Sequence, residues 1–397
     1  MPDYTYLIVG GGMTADAAVH GIREIDRSGS IGLIGAEAHP PYNRPPLSKG
    51  LWKNQPLESI WRKSDTPGLT LHLGRRVEQL DPRNKRVTDD QGGVHTFDKL
   101  LLATGAVPRR LPFGAGPIIY YRTLDDYQRL RALMERGRRF AVIGGGFIGS
   151  EVAAALAMNA RDVVMAFPGQ GLCSRVFPSD VVGFLNDFYR RKGVEILAGA
   201  SVVGMEARQD KSILTIVDGP GKSARDVTVD GVVAGIGVQP NVELAQEAGL
   251  EVQNGVRVNA SLRSSHPDIY AAGDVARFHN PVLDDWLRVE HEDNANTMGR
   301  MAGRAMAGET TSYDHLPSFY SDLFELGYEA VGEIDSRLET VADWKEPYRE
   351  GVIYYLRAGR VRGVLLWNVW EQVDAARRLI AEPGPFSAGD LKGRLPA

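Results

Sequence analysis

The sequence predicts an α/β fold with two parallel-sheet units followed by an α+β region. Three observations predict it. The stretch "YTYLIVGGGMTADAAV" (residues 4–19) runs from apolar residues into three glycines and then into an alanine-rich segment with helical spacing. The same device returns in "RRFAVIGGGFIGSEVAAAL" (residues 138–156). From about residue 310 the pattern changes to tyrosine- and tryptophan-rich strands such as "GVIYYLRAGRVRGVLLWN".

A short, wholly apolar run such as "LIVG" suits a parallel strand buried on both faces. Gly10, Gly12 and Ala15 then follow the G-x-G-x-x-G/A spacing, and Gly144, Gly146 and Gly149 follow it with all three glycines. In this spacing the first glycine permits a tight turn and the second lets backbone approach a pyrophosphate. The third small residue lets the helix pack close to the strand. The positive end of that helix favours phosphate. One glycine triplet also fits an empty turn. Two copies about 134 residues apart, each between a strand and a helix, predict two dinucleotides bound by two Rossmann-type domains.

A carboxylate is expected after the second strand of each unit, to hold the adenosine ribose diol. Glu37 follows "SIGLIGAE" in the first unit, whereas "RDVVMAFPGQG" in the second has Gly169 and Gln170 at that place, with Arg175 nearby. The second site is therefore open to either a ribose hydroxyl or a 2′-phosphate.

Along the chain, helix 13–27 and strand 31–35 lead into a proline-rich loop through Leu47. Short strands fill 69–98, and "KLLLATGAVPR" closes this half with a buried strand. A helix is expected over 123–135, a strand-rich meander over 201–230, and another strand and turn in "VVAGIGVQPN". "DIYAAGDVARF" reads as a strand ending at Gly273 and Asp274, followed by a helix over 290–307 and a last helix over 370–381.

Composition narrows the function classes. A net charge of −4 gives no footprint for nucleic acid. Cys173 is the only cysteine, which excludes a disulfide framework and a dithiol redox pair. With no basic-start apolar leader and no run of about 18 apolar residues, the expectation is a cytoplasmic protein without a membrane span. No metal centre is expected.

"PPYNRPPLSKGLW", "LLATGAVPR", "GGGFIGSEVAAAL", "GIGVQPN" and "YAAGD", in this order, resemble the FAD-dependent pyridine-nucleotide oxidoreductases of the ferredoxin-reductase type. "RVEHEDNA", "SFYSDLFELGYEAVGEID" and "GVIYYLRAGRVRGVLLWN" narrow the likeness to the apoptosis-inducing-factor group and its prokaryotic relatives. The resemblance spans nearly the whole chain. It implies a glutathione-reductase-like fold: an FAD domain from 1–114 and 236–309, an NAD(P) domain at 115–235, and a C-terminal α+β interface domain at 310–397.

The resemblance places FAD contacts at Gly10, Gly11, Gly12, Met13, Thr14, Ala15, Glu37, Arg44, Lys49, Val77, Thr104, Gly105, Arg122, Asp274, His291 and Glu292. It places NAD(P)H contacts at Trp61, Gly144, Gly145, Gly146, Phe147, Ile148, Gly149, Arg175, Gly237, Glu290, Tyr320, Glu329 and Trp367. Lys49 and Glu151 are carried over as a catalytic pair beside the flavin. The sequence departs from the narrower group at Gly169 (an acid there), Glu292 (a histidine) and Tyr320 (a tryptophan), and Ala36 lacks the acid often found beside Glu37.

Each residue also has an ordinary structural reading. Arg44 and Lys49 suit solvated loop charges, although Pro45 and Pro46 stiffen the backbone between them. Asp274 suits a cap, His291 a hydrogen-bonded helix start, Glu151 a first-turn acid, and Tyr320 and Trp367 a core.

Two nucleotide sites imply a relay from NAD(P)H to flavin. Disulfide reductases of this fold pass electrons on to a cysteine pair, which this chain lacks. The expected acceptor is a small iron–sulfur protein, ferredoxin or rubredoxin. The narrower resemblance implies an alternative: a slow NADH-binding flavoprotein with redox-linked homodimerisation or partner binding. A quinone reductase or NADH oxidase is a third reading.

Overall fold

The structure is a computed structural model that describes residues 3–64, 66–113, 116–219, 222–310 and 312–396. The expected domain boundary between residues 114 and 115 lies outside the described residues. The chain divides into two units. One comprises Met1–Arg44, Pro56–Val107 and Gln239–Phe319; the other comprises Pro45–Gln55, Pro108–Val238 and Tyr320–Ala397.

The first unit is built on a parallel sheet in the order Leu69–Leu73, Ile31–Gly35, Tyr4–Val9, Val94–Leu102, Ile269–Ala271. Leu7, Ile8, Ile31, Leu33, Leu100, Leu101 and Ile269 are fully buried, as apolar runs covered on both faces should be. Val9 pairs with both Ile34 and Leu102, and Leu102 pairs with Ala271. Four strands therefore end at one level. The glycine loop, Glu37, Thr104 and Gly273 all leave the sheet from that carboxyl edge, the usual place for a ligand in such sheets. The early part of Val94–Leu102 also pairs antiparallel with Arg86–Asp89, which pairs with Val77–Asp81.

Helix Met13–Ile25 packs against helix Glu292–Met306 with backbone touching backbone. A Cβ on Gly21 would lie 2.0 Å from the Arg300 carbonyl, one on Gly299 2.4 Å from the Thr14 carbonyl, and one on Gly303 2.1 Å from the Ala18 carbonyl. Three glycines at these crossings fix how close the later helix lies to the first glycine loop.

The second unit repeats the pattern. Its parallel sheet runs Val194–Ala198, Asp162–Phe167, Arg139–Ile143, Gly231–Ala234, Ile118–Tyr120. Ile143 pairs with Ala166 and Ala234, so these strands also end together. The expected meander is present as Ser201–Arg208, Lys211–Val217 and Ala224–Val229. The C-terminal region is an antiparallel sheet in the order Ser318–Leu323, Leu326–Gly332, Arg360–Trp367, Glu350–Arg357, Glu339–Glu346, and helix Val373–Ala381 packs on it.

Several elements differ from expectation. The proline-rich loop ends in a short 3-10 turn at Pro45–Ser48, and two more follow at Gly50–Lys53 and Leu57–Ile60. The helix expected over 290–307 spans Glu292–Met306, with His291 as its N-cap. The last expected helix begins at Val373, because Asn368 and Glu371 are left-handed (φ 50° and 64°). A further helix, Ala388–Leu391, follows; a capping box between Ser387 and Asp390 starts it. Helix Ser179–Arg191 also went unread. Among the described residues no helix is long and apolar enough to cross a membrane.

The helix crossing generates a stability prediction. Gly303→Ala should cost about 2 kcal/mol, since the new methyl meets rigid backbone. Gly183→Ala, in helix Ser179–Arg191 with nothing within 4 Å of the added Cβ, should instead stabilise by roughly 0.5–1 kcal/mol. Urea unfolding midpoints of the two variants read the contrast.

Candidate functional site

In the first unit the strand Tyr4–Val9 delivers Gly10–Gly12 to the start of helix Met13–Ile25. Gly12 is the N-cap and makes no side-chain capping bond, so the first-turn N–H groups are left to an anion. A Cβ on Gly12 would stand 3.9 Å from Arg44 Nη2, and one on Gly11 3.1 Å from the Gly35 Cα. The loop is thus a bare cradle with a guanidinium beside it, which fits the pyrophosphate of FAD. Gly273, in the 3-10 turn Gly273–Val275, is equally close: a Cβ there would meet Thr14 Oγ1 at 2.3 Å. The structure therefore brings Gly10–Ala15, Arg44 and the Gly273–Asp274 turn together.

Glu37 is held rather than free. Tyr42 donates its hydroxyl to Oε2 at 2.6 Å, and Arg44 Nη2 donates to Oε1 at 2.5 Å. Arg44 Nη1 also donates to Tyr42 Oη at 3.0 Å. Trp61 packs edge-on to Tyr42, with ring centroids 6.0 Å apart, which sets it beside the Glu37 frame. Thr104 and Asn241 exchange bonds, Oγ1 to the Asn241 carbonyl at 2.8 Å and Nδ2 to the Thr104 carbonyl at 2.7 Å. Val77 opens an outer strand, where it pairs with Asp89.

Asp16 was missed by sequence reading. It is buried in the first turn of the helix, accepts from Arg62 Nε at 2.5 Å and Ser64 Oγ at 2.8 Å, and ties the segment around Trp61 to the glycine loop. An acid in that turn was visible, but its partners 46 and 48 residues away were not.

His291 stacks on Phe319 with centroids 4.3 Å apart and planes at 15°. Burial pulls its imidazole down to about 4, although Asp274 and Asp293 push the other way. Asp293 accepts from the Ser318 N–H at 2.9 Å and lies 2.6 Å from His315 Nε2. Glu290 is exposed, outside the helix, and bonded to Arg288 Nη1 at 2.6 Å. Glu292 begins the helix.

In the second unit Gly144–Gly146 lead to helix Phe147–Met158. Gly146 is an N-cap without a side-chain bond, and a Cβ on it would meet nothing within 4 Å, a cradle that fits a second pyrophosphate. Ile148 is exposed, and Gly149 closes the turn. At the end of strand Asp162–Phe167 no carboxylate stands by Gly169; Ser174 Oγ is its nearest side-chain neighbour, and Arg175 is exposed. Gly237 accepts from the Arg109 N–H, and the Arg122 N–H donates to Asp126.

Glu151 lies in the same helix, buried, and its carboxylate is fully engaged. Ser48 Oγ donates to Oε2 at 2.5 Å, Ser321 Oγ to Oε1 at 2.6 Å, and Lys49 Nζ lies 2.8 Å from Oε1. Lys49 Nζ also sits 5.1 Å from the Tyr320 ring centroid. The expected Lys49–Glu151 pairing is thus present as geometry, together with two serines that nothing in the sequence marked.

Two nicotinamide candidates sit differently. Trp367 is fully buried, stacked on Tyr328 at 5.8 Å, and donates its indole N–H to the Tyr348 carbonyl at 3.0 Å. Glu329 Oε2 is buried without a hydrogen-bond partner among the described residues, and burial raises its carboxyl. Such an acceptor fits the amide N–H groups of a nicotinamide. Cys173 is buried and burial pushes its thiol up to about 12, which leaves it inert.

Two uncapped glycine cradles and a buried lysine–glutamate pair describe a flavoprotein that also takes a nicotinamide nucleotide. Residues 4–299 match the family model for pyridine nucleotide-disulphide oxidoreductase, and residues 302–347 and 342–382 match that for apoptosis-inducing factor, mitochondrion-associated, C-term. The chain belongs to the pyridine nucleotide-disulphide oxidoreductase family and is an NAD(P)H-dependent FAD oxidoreductase. It is 35% identical over 399 residues to an anthranilate 1,2-dioxygenase system ferredoxin–NAD(+) reductase component from Burkholderia cepacia, with 97% of each chain covered. It is 33% identical over 420 residues to apoptosis-inducing factor 1, mitochondrial, from Dictyostelium discoideum, covering 95% of this chain and 78% of that protein. A chain of the solved covalent putidaredoxin reductase–putidaredoxin complex matches with a TM-score of 0.89 and 30% identity, over 98% of this chain and 95% of that one.

The His291 environment generates a pH prediction. Unfolded histidine titrates near 6.5, whereas folded His291 titrates at about 4. Its contribution to stability is therefore fully present above about pH 6.5 and is lost as pH falls toward 4. Urea midpoints should fall between pH 7 and pH 4.5, and His291→Gln should remove part of that fall, on the order of 2 kcal/mol. An unchanged pH dependence in the variant would show that another group carries it.

Proposed function

We propose that this protein takes a hydride from NAD(P)H and passes electrons singly to a small iron–sulfur protein of the ferredoxin or rubredoxin class. The observation that carries the reading is the end-to-end match, 97% of both chains, to a ferredoxin–NAD(+) reductase component. When bound, FAD supplies the step that accepts two electrons together and releases them one at a time. Each NAD(P)H then reduces two one-electron acceptors, with one proton released to water.

The chain's own residues serve binding and charge. Gly10–Ala15, Arg44 and Asp274 hold FAD, with Glu37 and its Tyr42–Arg44 frame at the adenosine end. Lys49, fixed by Glu151, supplies the positive charge that family likeness assigns to flavin chemistry. Gly144–Gly149 hold the nicotinamide nucleotide, and Glu329 accepts from its carboxamide. The FAD domain runs over 1–114 and 236–309, the NAD(P) domain over 115–235 and the C-terminal domain over 310–397. A cytoplasmic location goes with the single cysteine.

The second reading, a slow NADH-binding flavoprotein whose redox state governs dimerisation or partner binding, is favoured by the C-terminal model match over residues 302–382. Steady-state turnover with ferredoxin-type acceptors, quinones and oxygen separates the two. Rapid reduction of an iron–sulfur protein is expected. Turnover that is slow with every acceptor, with a long-lived charge-transfer band after NADH addition, would overturn the first reading in favour of the second.

Cofactor preference gives a further prediction. No carboxylate at Gly169 repels a 2′-phosphate, and exposed Arg175 adds only about 1 kcal/mol of attraction, less than tenfold. Weak discrimination with a lean to NADH is expected. Gly169→Glu should raise the Michaelis constant for NADPH and leave that for NADH nearly unchanged; the new Cβ meets the Ser174 hydroxyl at 3.0 Å, which can rotate away, and the Gly171 carbonyl at an ordinary contact distance of 3.8 Å. Preference by a factor of hundreds in the unmodified protein would overturn this reading of the strand end.

A further inference from the structure

We propose that Arg62 is a positioning residue for FAD: anchored on Asp16, it holds Asn43 and thereby sets Arg44 at the first glycine cradle. The inference rests on the reading above that this cradle and Arg44 hold FAD, and every residue it uses belongs to the first unit. Asp16 is 2% exposed, and a carboxylate so placed persists as an ion only when it is paired and its oxygens are engaged. Arg62 Nε donates to Oδ2 at 2.5 Å, and Ser64 Oγ donates to Oδ1 at 2.8 Å. A guanidinium has further donors once one carboxylate oxygen is met. Arg62 turns one of them elsewhere: Nη1 donates to Asn43 Oδ1 at 2.9 Å.

Segments 41–43 and 60–62 form a narrow ribbon. The Asn43 N–H donates to the Ile60 carbonyl at 2.8 Å, the Arg62 N–H donates to the Pro41 carbonyl at 3.0 Å, and Tyr42 bridges Trp61 between them. A two-stranded ribbon this short is marginal on its own. The Arg62 side chain supplies what it lacks: a cross-tie to Asn43 and an anchor on the buried first turn of helix Met13–Ile25. The ribbon in turn carries the groups that orient Arg44. Its Tyr42 hydroxyl accepts from Arg44 Nη1 and donates to Glu37, and Arg44 itself follows Asn43 directly. Arg44 Nη2 then reaches Glu37 and stands 3.9 Å from the place of a Gly12 Cβ. Without the cross-tie Arg44 keeps its bond to Glu37 but loses the fixed backbone from which it reaches the cradle.

The test measures the rate of FAD release from the FAD-bound, full-length protein, read as the rise in flavin fluorescence after dilution. Neither NAD(P)H nor the electron acceptor enters. Arg44→Ala should speed release at least about tenfold, because it removes a charged contact to phosphate. Arg62→Lys keeps a cation for Asp16 but cannot fork to Asn43, whereas Asn43→Ala keeps the Asp16–Arg62 pair and loses only the cross-tie. Each should speed release about tenfold, the effect of one lost hydrogen bond to a charged group. In an Arg44→Ala background Asn43→Ala should add nothing further, because it acts through that arginine. An unmodified rate in either Arg62→Lys or Asn43→Ala overturns the proposal. A full further acceleration by Asn43→Ala in the Arg44→Ala background also overturns it, since the cross-tie would then be structural only. If Arg62→Lys does not fold, Asn43→Ala carries the same reading alone. An unmodified rate in Arg44→Ala would overturn the placement of Arg44 at FAD and the proposal with it, so the two failures are distinguishable.

Discussion

A carbonyl oxygen pressed against a glycine organises each nucleotide unit. A Cβ on Gly10 would lie 2.0 Å from the Ala103 carbonyl, and one on Gly144 would lie 2.3 Å from the Gly235 carbonyl. In both cases the oxygen belongs to the residue just past the neighbouring strand of the sheet, and in both cases φ is positive, +131° and +114°. No side chain can enter that gap, and the reversed φ turns the chain sharply enough to start a helix at once. The level strand ends, the uncapped helix and the open cradle follow from that contact. The third motif position shows how local the constraint is. A Cβ on Gly149 would stand 2.1 Å from the Gly144 carbonyl, whereas Ala15 carries its methyl buried in the core.

Around these cradles, buried and half-buried charge is met by a partner that a loop brings. Asp16 takes Arg62, Glu37 takes Arg44, and Glu151 takes Lys49. A buried ion stripped of its partner costs several kcal/mol, so each pair also fastens the segment that supplies it. In the first unit residues 41–44 and 56–64 are fastened by the Glu37–Arg44 and Asp16–Arg62 pairs, and in the second residues 45–55 are fastened by Lys49–Glu151. Within each unit, the rigidity of these loop segments therefore comes from ion pairs and short 3-10 turns, not from a sheet.

What the sequence disclosed follows the range of the interaction involved. The glycine spacing, apolar strands and alanine-rich helices are local patterns, and both parallel sheets, the meander and the change of architecture near residue 310 were legible from them. The starts and ends of helices were less so, because left-handed Asn368 and Glu371 and the N-cap role of His291 depend on packing beyond the local window. Nothing in the spacing of Ser321 or Ser48 marks a partner for Glu151. The contact exists only after a C-terminal strand and a 3-10 turn meet the same helix. The backbone bridge between Tyr42 and Trp61, which sets the indole beside the Glu37 frame, is likewise a contact that no local pattern marks.

The family's name refers to disulfide chemistry, and the way this chain departs from it is physical. Thiol exchange needs a thiolate within reach of a second sulfur. The single cysteine is buried against Ser150, its thiol is raised to about 12, and no second sulfur nucleophile exists in the sequence. Electrons released singly need no covalent partner, only an acceptor brought close and a site that tolerates the change in charge. That requirement falls on electrostatics rather than nucleophilicity. The buried charge beside the second glycine loop is accordingly a neutralised ion pair, held by hydroxyls and a ring, where a disulfide reductase would need a pair of cysteines.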